Sequence, residues 1–302
     1  MHQNFKGTLA SYRSYLTTLC HAGSSVYDYT RFVHYFFTYL QKETGLNEIT
    51  QLKEKHVWGY YKHLKSATGV RTKRAFSNAH LNRNFLAIDK LLECLHALGM
   101  EDAPVPLNYS VENIPLKEIS VLSQQEIKHL YGAISDTFSY RFYGIRREAR
   151  QKTLELVLNL CYGCGLRRSE ALHLKEKDID LDRGVLHVRQ GKNYKDRFVP
   201  ISKNLVRSFT EYIYDYRRHL PGRRTSYLYP FGATAIGQVL PLLQKTLDDS
   251  PLKNKNISLH TLRHSIATHL LDNGMPIEQI SQFLGHSGLT STQIYTHIIN
   301  RD

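Results

Sequence analysis

Two segments decide the fold of the C-terminal half of this sequence: Ser258-Leu-His-Thr-Leu-Arg-His-Ser-Ile-Ala-Thr-His269 and Phe283-Leu-Gly-His-Ser-Gly-Leu-Thr-Ser-Thr-Gln-Ile-Tyr-Thr-His297. Apolar residues recur at helical spacing through the first segment, and Gly274 follows where such a helix would end. Pro276 is typical of the start of a second helix, which we expect to end at Gly285. The pattern therefore predicts two consecutive helices, with His286 just beyond the second.

The polar residues of these segments suit phosphate chemistry. His260 and Arg263 are three residues apart, so a helix would present both side chains to one ligand. His286 and Tyr295 follow within a short polar region. Each of these residues alone is ordinarily a surface or capping residue, and a tyrosine is more often a half-buried aromatic than a nucleophile. The functional interpretation therefore depends on the order and spacing of these residues, not on any one of them.

An arginine motif precedes them in Gly165-Leu-Arg167-x-x-Glu170. Glycines 163 and 165 are expected to end a buried helix and to leave Arg167 at a turn, where its five N–H donors can point into a cleft. This motif, followed by His260-x-x-Arg263, Leu284-Gly-His286 and Tyr295, resembles the signature of the tyrosine recombinases, the phage-integrase and Xer family.

The resemblance implies a fold class that is mainly α with a small antiparallel β-sheet. It also implies a two-domain, C-shaped clamp around duplex DNA, in which a helical core-binding domain precedes the tyrosine-recombinase catalytic domain. Xer-type members usually carry a tail helix that docks on the neighbouring protomer. Seven residues follow Tyr295 here, so the way in which protomers couple stays open.

A β-hairpin is predicted between the two arginine motifs. Residues 184–190 and 196–201 alternate between apolar and polar, and Gly191-Lys-Asn-Tyr-Lys195 forms the turn between them. The family places its catalytic lysine on this hairpin. Lys192 is the positional match, and Lys195 is a nearby alternative.

The chemistry of a phosphodiester suggests a role for each residue. Tyr295 would attack phosphorus and give a 3′-phosphotyrosyl link with a free 5′ hydroxyl. Charge on the non-bridging oxygens would be stabilised by Arg167 and Arg263, with His286 as a further donor. The remaining roles are those of general base for His260, general acid for Lys192 and orienting carboxylate for Glu170. We expect no cofactor and no metal, because the arginines already supply positive charge.

The rest of the chain divides into three regions. Helical periodicity and aromatic residues mark 1–103 as a helical domain, and the resemblance implies that it is the core-binding, DNA-binding domain. Prolines and asparagines break the periodicity in 104–118, which is the expected linker. The capping-box pattern Ser123-Gln-Gln-Glu126 begins the first helix of the catalytic domain, residues 119–302. In the first domain, candidate DNA contacts come from a stretch with almost no acidic residues before Asp89: Arg71, Lys73, Arg74 and Arg83.

Composition favours a polyanionic partner. The 302 residues include 40 Lys and Arg against 27 Asp and Glu, a formal net charge of +13. Hydrophobic residues make up 41%, which excludes a disordered chain, and neither a signal-peptide pattern nor a membrane-length apolar run is present. We therefore expect a cytoplasmic, nucleoid-associated protein. Cys161-x-x-Cys164 is interpreted as reduced thiols at a helix end, without a second Cys-x-x-Cys to complete a zinc site.

Double-stranded DNA recombination sites are the expected partner. One Tyr295 per chain can cut one strand and recombination joins four, so we expect a homo-tetramer in the synaptic complex and a monomer without DNA. Two alternatives remain at this point. A type IB topoisomerase uses similar residues but relaxes one duplex alone, and a non-catalytic basic DNA-binding module would need the charge without the full set of site residues.

Overall fold

The computed structural model describes residues 3–68, 74–111, 120–138, 142–189, 196–222, 225–247 and 250–286. The chain divides into two compact units, Met1–Lys117 and Glu118–Asp302. None of the helices within the described ranges is long and apolar enough to cross a membrane.

The first unit is helical. Its α-helices, in chain order, are α1 (Gln3–Thr18), α2 (Gly23–Tyr39), α3 (Glu54–Ser66) and α4 (Asn78–Ala97). Its core is rich in aromatic rings: Phe5 stacks on Phe37 at 4.5 Å between centroids, and Tyr61 lies 4.0 Å from Phe85. Such rings bury a large apolar area each, so a small bundle can form a stable core around them. The predicted helical interior of this region is confirmed.

The segment after α4 packs against the first unit. Leu107, Tyr109 and Val111 lie against its core. The buried Asp89 carboxylate accepts the Leu107 N–H at 3.0 Å. Asn82 exchanges two hydrogen bonds with the main chain of Val111, at 3.1 and 2.7 Å. Residues up to Val111 of the predicted linker are therefore tied to the first unit, and the division between the units falls after Lys117.

The described part of the second unit combines helices with a small sheet. Its α-helices are α5 (Gln124–Gly132), α6 (Ile145–Leu158), α7 (Arg168–His173), α8 (Lys203–Glu211), α9 (Ala233–Ile236), α10 (Val239–Lys245), α11 (Leu259–Asp272) and α12 (Ile277–Leu284). The predicted capping box starts α5: Ser123 Oγ accepts the Glu126 N–H at 3.1 Å, and Glu126 accepts the Ser123 N–H at 2.8 Å. Two of the four exposed amides of the helix end are thereby satisfied.

The sheet is antiparallel and contains the predicted hairpin. Strands β1 (Ile179–Asp180), β2 (Val185–Val188) and β3 (Arg197–Pro200) are hydrogen-bonded in that order. In β2 and β3, Leu186 pairs with Val199 on the buried face, while His187 stacks on the exposed Phe198 with 4.5 Å between ring centroids. This alternation is the one the sequence predicts. The turn that carries Lys192 and Lys195 lies outside the described residues.

Helix α6 continues as a π-helical turn, Asn159–Gly163, that contains the first of the two close cysteines. Cys161 and Cys164 are both buried and lie at the end of this helix, as the sequence predicts. Burial raises the pKa of both, that of Cys161 to about 12. They are therefore inert core residues at neutral pH.

The two predicted C-terminal helices form with the expected ends. Ser258 caps α11 by accepting the Thr261 N–H at 3.4 Å. Gly274 and Gly285 follow α11 and α12 with φ of +81° and +65°. This left-handed conformation suits glycine because it has no Cβ. Helix α11 packs on the π-helical turn and on α12, and α12 also contacts β3.

Candidate active site

The site is built where the turn before α7 meets the end of α12. Arg167 is the N-cap residue of α7, and Glu170 lies one turn into the helix. The Glu170 carboxylate folds back and accepts the Arg167 main-chain N–H at 2.8 Å and its guanidinium at 2.7 Å. The Arg167-x-x-Glu170 spacing produces this pair locally, since residues three apart adjoin at a helix start.

Arg263 projects from the second turn of α11 into the same place. Its side chain is only 2% exposed, and its guanidinium donates to the carbonyls of Gly165 at 2.5 Å and Leu284 at 2.7 Å. It also lies 3.9 Å from Glu170. Arg263 thus connects the glycine turn before α7 to the C-terminal end of α12.

The carbonyl groups at the end of α12 bind both predicted arginines. Arg167 donates to the Gly285 carbonyl at 3.0 Å, next to the Leu284 carbonyl that binds Arg263. These carbonyls lack partners within the helix and carry its partial negative charge, which suits guanidinium groups. The two arginines are thereby fixed beside His286, which follows this turn.

Glu170 has a further partner that the sequence analysis did not single out. Arg197, in β3, forms two hydrogen bonds with the Glu170 carboxylate, at 2.9 and 2.8 Å. Burial alone would raise the pKa of Glu170, but the hydrogen bonds and charge of Arg197, aided by Arg167, lower it to about 2. Glu170 is therefore ionised at neutral pH.

The cluster carries excess positive charge. Arg167, Arg197 and Arg263 are three cations that share the single carboxylate of Glu170, so these four groups leave two positive charges. A phosphodiester brings one negative charge and gains a second when an oxyanion attacks phosphorus. The arrangement therefore has the sign and size of charge that stabilises phosphoryl transfer.

His286 lies in this positive environment. Burial lowers its pKa to about 4, and the charges of Arg263 and Arg167 act in the same direction. Its imidazole is therefore neutral at pH 7, with one N–H to donate. Its main-chain N–H is bonded to the Ser281 carbonyl at 3.0 Å, which fixes the turn after α12.

His260 occupies a different environment from Arg263, although both are on α11. It is exposed at the start of the helix, with its ring 5.5 Å from that of His264. His264 is partly buried, and its charge contributes to the lowered pKa of His286. The structure thus brings together Arg167, Glu170, Arg263 and His286. It places the exposed His260 in the first turn of α11, the helix that carries Arg263. Tyr295, Lys192 and the alternative Lys195 lie outside the described residues.

A model of the phage integrase family matches residues 120–301. The chain belongs to this family. The tyrosine recombinase XerA of Thermococcus kodakarensis is similar, at 32% identity over 292 residues that cover 91% of this chain and 86% of that protein. The tyrosine recombinase XerC of Chlorobaculum parvum is 28% identical over 278 residues, 87% of this chain and 81% of that protein.

Solved structures of integrase-family proteins share the fold. The XerH site-specific recombinase bound to its difH substrate in a pre-cleavage complex matches with a TM-score of 0.64 and 18% identity, covering 98% of this chain and 95% of that one. The predicted fold class, mainly α with a small antiparallel sheet, is confirmed.

The candidate DNA contacts of the first unit are only partly described. Arg71 and Lys73 lie outside the described residues, and Arg74 is exposed. Arg83 is also exposed but forms an ion pair with Asp28 of α2 at 2.7 Å, and Asp28 pairs with Arg31 at 3.2 Å. The acidic residue Asp28 therefore lies beside Arg83, although the sequence around Arg83 contains few acidic residues. Its role in DNA binding stays a prediction.

Two residues near the site were not selected from the sequence, Arg197 and His264. A signal for Arg197 existed, because strand alternation places it on the same face as the buried Val199. A charged residue on an inward strand face requires a partner of opposite charge. Within the described residues, no group of three or more His, Cys, Asp or Glu side chains is placed to hold a metal ion.

Proposed function

We propose that this protein is a site-specific DNA recombinase that cleaves and rejoins strands through a 3′-phosphotyrosyl intermediate at Tyr295. The observation that carries the proposal is the convergence of Arg167, Arg263 and His286 at the end of α12, in a chain of the integrase family. A binding module would need basic charge but would not need two arginines held on adjacent carbonyls beside a neutral histidine.

The reaction follows from the charges and donors of the site. The phenolic oxygen of Tyr295 forms a bond to phosphorus as its proton passes to a base, for which the exposed His260 is the candidate. The non-bridging oxygens accept hydrogen bonds from Arg167, Arg263 and His286. The positive charge of the arginines offsets the negative charge that develops on these oxygens. The bond between phosphorus and the 5′ oxygen breaks, and Lys192 protonates that oxygen.

The phosphotyrosyl bond retains the reactivity of the original phosphodiester. A 5′ hydroxyl from another strand can attack it, reform a phosphodiester and release Tyr295, so rejoining needs no ATP. With one nucleophilic tyrosine, Tyr295, per chain, exchange of four strands requires four chains. We therefore propose a homo-tetramer on two duplex sites, acting on DNA in the cytoplasm at the nucleoid, with residues 1–103 as the core-binding domain.

The experiment starts with DNA sequences that the full chain selects from a random pool. Selected duplexes carrying a nick near the site are then incubated with the protein in the presence of a chelator, and covalent protein–DNA complexes are separated under denaturing conditions. Without added metal, we expect covalent complex on the nicked duplexes and recombinant product from the intact selected duplexes. Binding without covalent complex would support the binding module, and an active species no larger than one chain on one duplex would support a topoisomerase.

A further inference from the structure

Arg197 is a charged residue on a strand of the hairpin, and its side chain is largely, though not fully, buried. Its side chain is 9% exposed, against 51% for Arg189, which follows the partner strand β2. Burying a guanidinium costs free energy unless its donors are satisfied and its charge is compensated. The hydrogen-bond partners of Arg197 therefore indicate which groups it positions.

Those partners belong to two other elements of the site. Its two terminal nitrogens bind the two carboxylate oxygens of Glu170 in α7, and its Nε donates to the Phe283 carbonyl in α12 at 3.1 Å. The planar fork of an arginine matches a carboxylate in this geometry, which a lysine cannot reproduce. One side chain thus joins β3, the start of α7 and the end of α12.

The turn after α12 is fitted closely to Arg197. A Cβ at Gly285 would lie 2.7 Å from Arg197 Cδ and 2.9 Å from its Nη1, closer than such atoms approach in proteins. The carbonyl of the same Gly285 accepts a hydrogen bond from Arg167 at 3.0 Å. Gly285, and with it the position of His286, is therefore held between two arginines.

Glu170 is also shared between these arginines. Its Oε1 accepts from Arg167 at 2.7 Å and from Arg197 at 2.9 Å, while Oε2 accepts from Arg197 at 2.8 Å. Arg197 offsets the negative charge of Glu170 through both carboxylate oxygens. Arg167 can therefore bind Glu170 without being the only cation that neutralises this carboxylate. Loss of Arg197 would pull Arg167 towards Glu170 and release the turn at Gly285.

We propose that Arg197 is a positioning residue of the active site, which acts through Glu170 and the Phe283–Gly285 turn to hold Arg167 and His286 in register for the phosphate. This inference rests on the proposed recombinase function. The hairpin would then contribute to the site in two ways, through the lysine of its turn and through Arg197 of β3. Arg197 connects β3 to α7 and to α12, the two elements that carry Arg167 and precede His286.

The test compares Arg197→Met and Arg197→Lys with Arg189→Met in the full chain. Arg189 is the matched control, since it flanks the same hairpin turn and pairs with Asp178 at 2.6 Å, away from the cluster around Glu170. Strand cleavage is measured in single turnover on a nicked selected site. DNA affinity is measured separately with Tyr295→Phe added to each variant, so that binding is not obscured by cleavage.

We expect both Arg197 variants to cleave on the order of 10- to 100-fold more slowly, because a displacement of about 1 Å at a reacting centre costs a rate factor of that size. Their DNA affinity should stay within about threefold of the parent, which separates positioning from binding. Arg189→Met should cleave at the parent rate. Arg197→Lys keeps the charge but loses the fork, so a parent rate in this variant would overturn the inference.

A double-variant comparison tests whether Arg197 acts through Glu170. The Arg197→Met/Glu170→Gln protein should cleave no more slowly than the slower single variant, because both changes disrupt one network. Multiplication of the two single losses would overturn the inference, as would two Arg197 variants that fail to fold, since Arg197 would then serve the core. Absence of cleavage by the parent protein would instead contradict the proposed function.

Discussion

Glu170 accepts hydrogen bonds from both the main chain and the side chain of Arg167, at 2.8 and 2.7 Å, while its own side chain is only 5% exposed. Burial alone would favour the protonated carboxyl, so Glu170 stays ionised here because the arginines are bonded to it. Arg167, the arginine proposed to bind the phosphate, is thus positioned by a group whose charge depends on pH.

This dependence predicts a loss of stability in acid. The pKa of Glu170 is lowered from 4.5 to about 2 in the folded protein. Its contribution to the free energy of unfolding is therefore fully present above pH 4.5 and disappears as the pH falls towards 2, by an amount on the order of 3 kcal/mol. Urea unfolding at a series of pH values should show this slope, and Glu170→Gln should flatten it. If the free energy of unfolding falls with pH equally steeply in the parent and in Glu170→Gln, Glu170 is not the group responsible.

The turn after α12 gives a prediction with an internal control. Gly285 and Gly274 both have positive φ, so alanine at either position costs roughly 1–2 kcal/mol of backbone strain. A Cβ at Gly274 would meet nothing within 4 Å, whereas at Gly285 it would strike Arg197. Gly274→Ala should therefore lower the melting temperature and leave cleavage unchanged, while Gly285→Ala should lower both. Equal cleavage rates would show that the turn does not position the site.

His286 should link DNA binding to proton uptake. Its pKa of about 4 in the free protein will rise when an anionic phosphate lies beside it, because the anion stabilises the imidazolium. Between the free and the bound pKa, binding takes up a proton, so affinity should increase as the pH falls from 7 to 5, by less than about tenfold per pH unit.

The measurement uses Tyr295→Phe, which should bind but not cut, with and without His286→Gln. The histidine's contribution is the difference between the two pH profiles, because other titrating histidines contribute to both. Parallel profiles would mean that His286 does not contact the phosphate.

The elements of the fold could be predicted where the signal is local. The ends of α11 and α12 follow from Gly274 and Gly285, because a left-handed residue after a helix is recognisable in the sequence itself. The hairpin follows from alternation, and the start of α5 from the Ser123 and Glu126 pair. Each signal is contained within a few residues, so no knowledge of packing is needed.

Contacts between distant elements could not be predicted in this way. Arg197 pairs with Glu170 only because β3 packs against α12 and the start of α7. Arg83 pairs with Asp28 because α2 and α4 are neighbours, although the sequence near Arg83 is poor in acidic residues. Spacing within one helix shows which side chains share a face, but the partner across the interface depends on tertiary packing. The order of the motifs predicted that Arg167, Arg263 and His286 come together, but not the contacts by which Arg197 and Glu170 support them.

The leaving-group chemistry separates the lysine from the arginines. If Lys192 protonates the 5′ oxygen, Lys192→Ala should lose a factor on the order of 10² to 10⁴ in cleavage rate. Replacing the bridging 5′ oxygen by sulfur should restore most of that rate, because a thiolate, with a pKa near 8.5 for the thiol, leaves without protonation. Arg167→Ala and Arg263→Ala should stay slow, since the proposed role of these arginines is to stabilise the non-bridging oxygens.

The same substrate distinguishes the two lysines and the base. His260→Ala should also stay slow with sulfur if its role is to accept the tyrosine proton. Rescue of Lys195→Ala or His260→Ala, with none for Lys192→Ala, would transfer the role of general acid to the rescued residue.

The central claim is that Tyr295 is the nucleophile, and identification of the tyrosine joined to DNA tests it most directly. The protein is trapped on a nicked selected site from which the 5′ fragment diffuses away, digested, and the phosphotyrosyl peptide is sequenced by mass spectrometry. The account predicts a single adduct at Tyr295, and a Tyr295→Phe protein that binds the site without cutting it. Attachment of DNA to any other tyrosine, or cleavage by Tyr295→Phe, would contradict it.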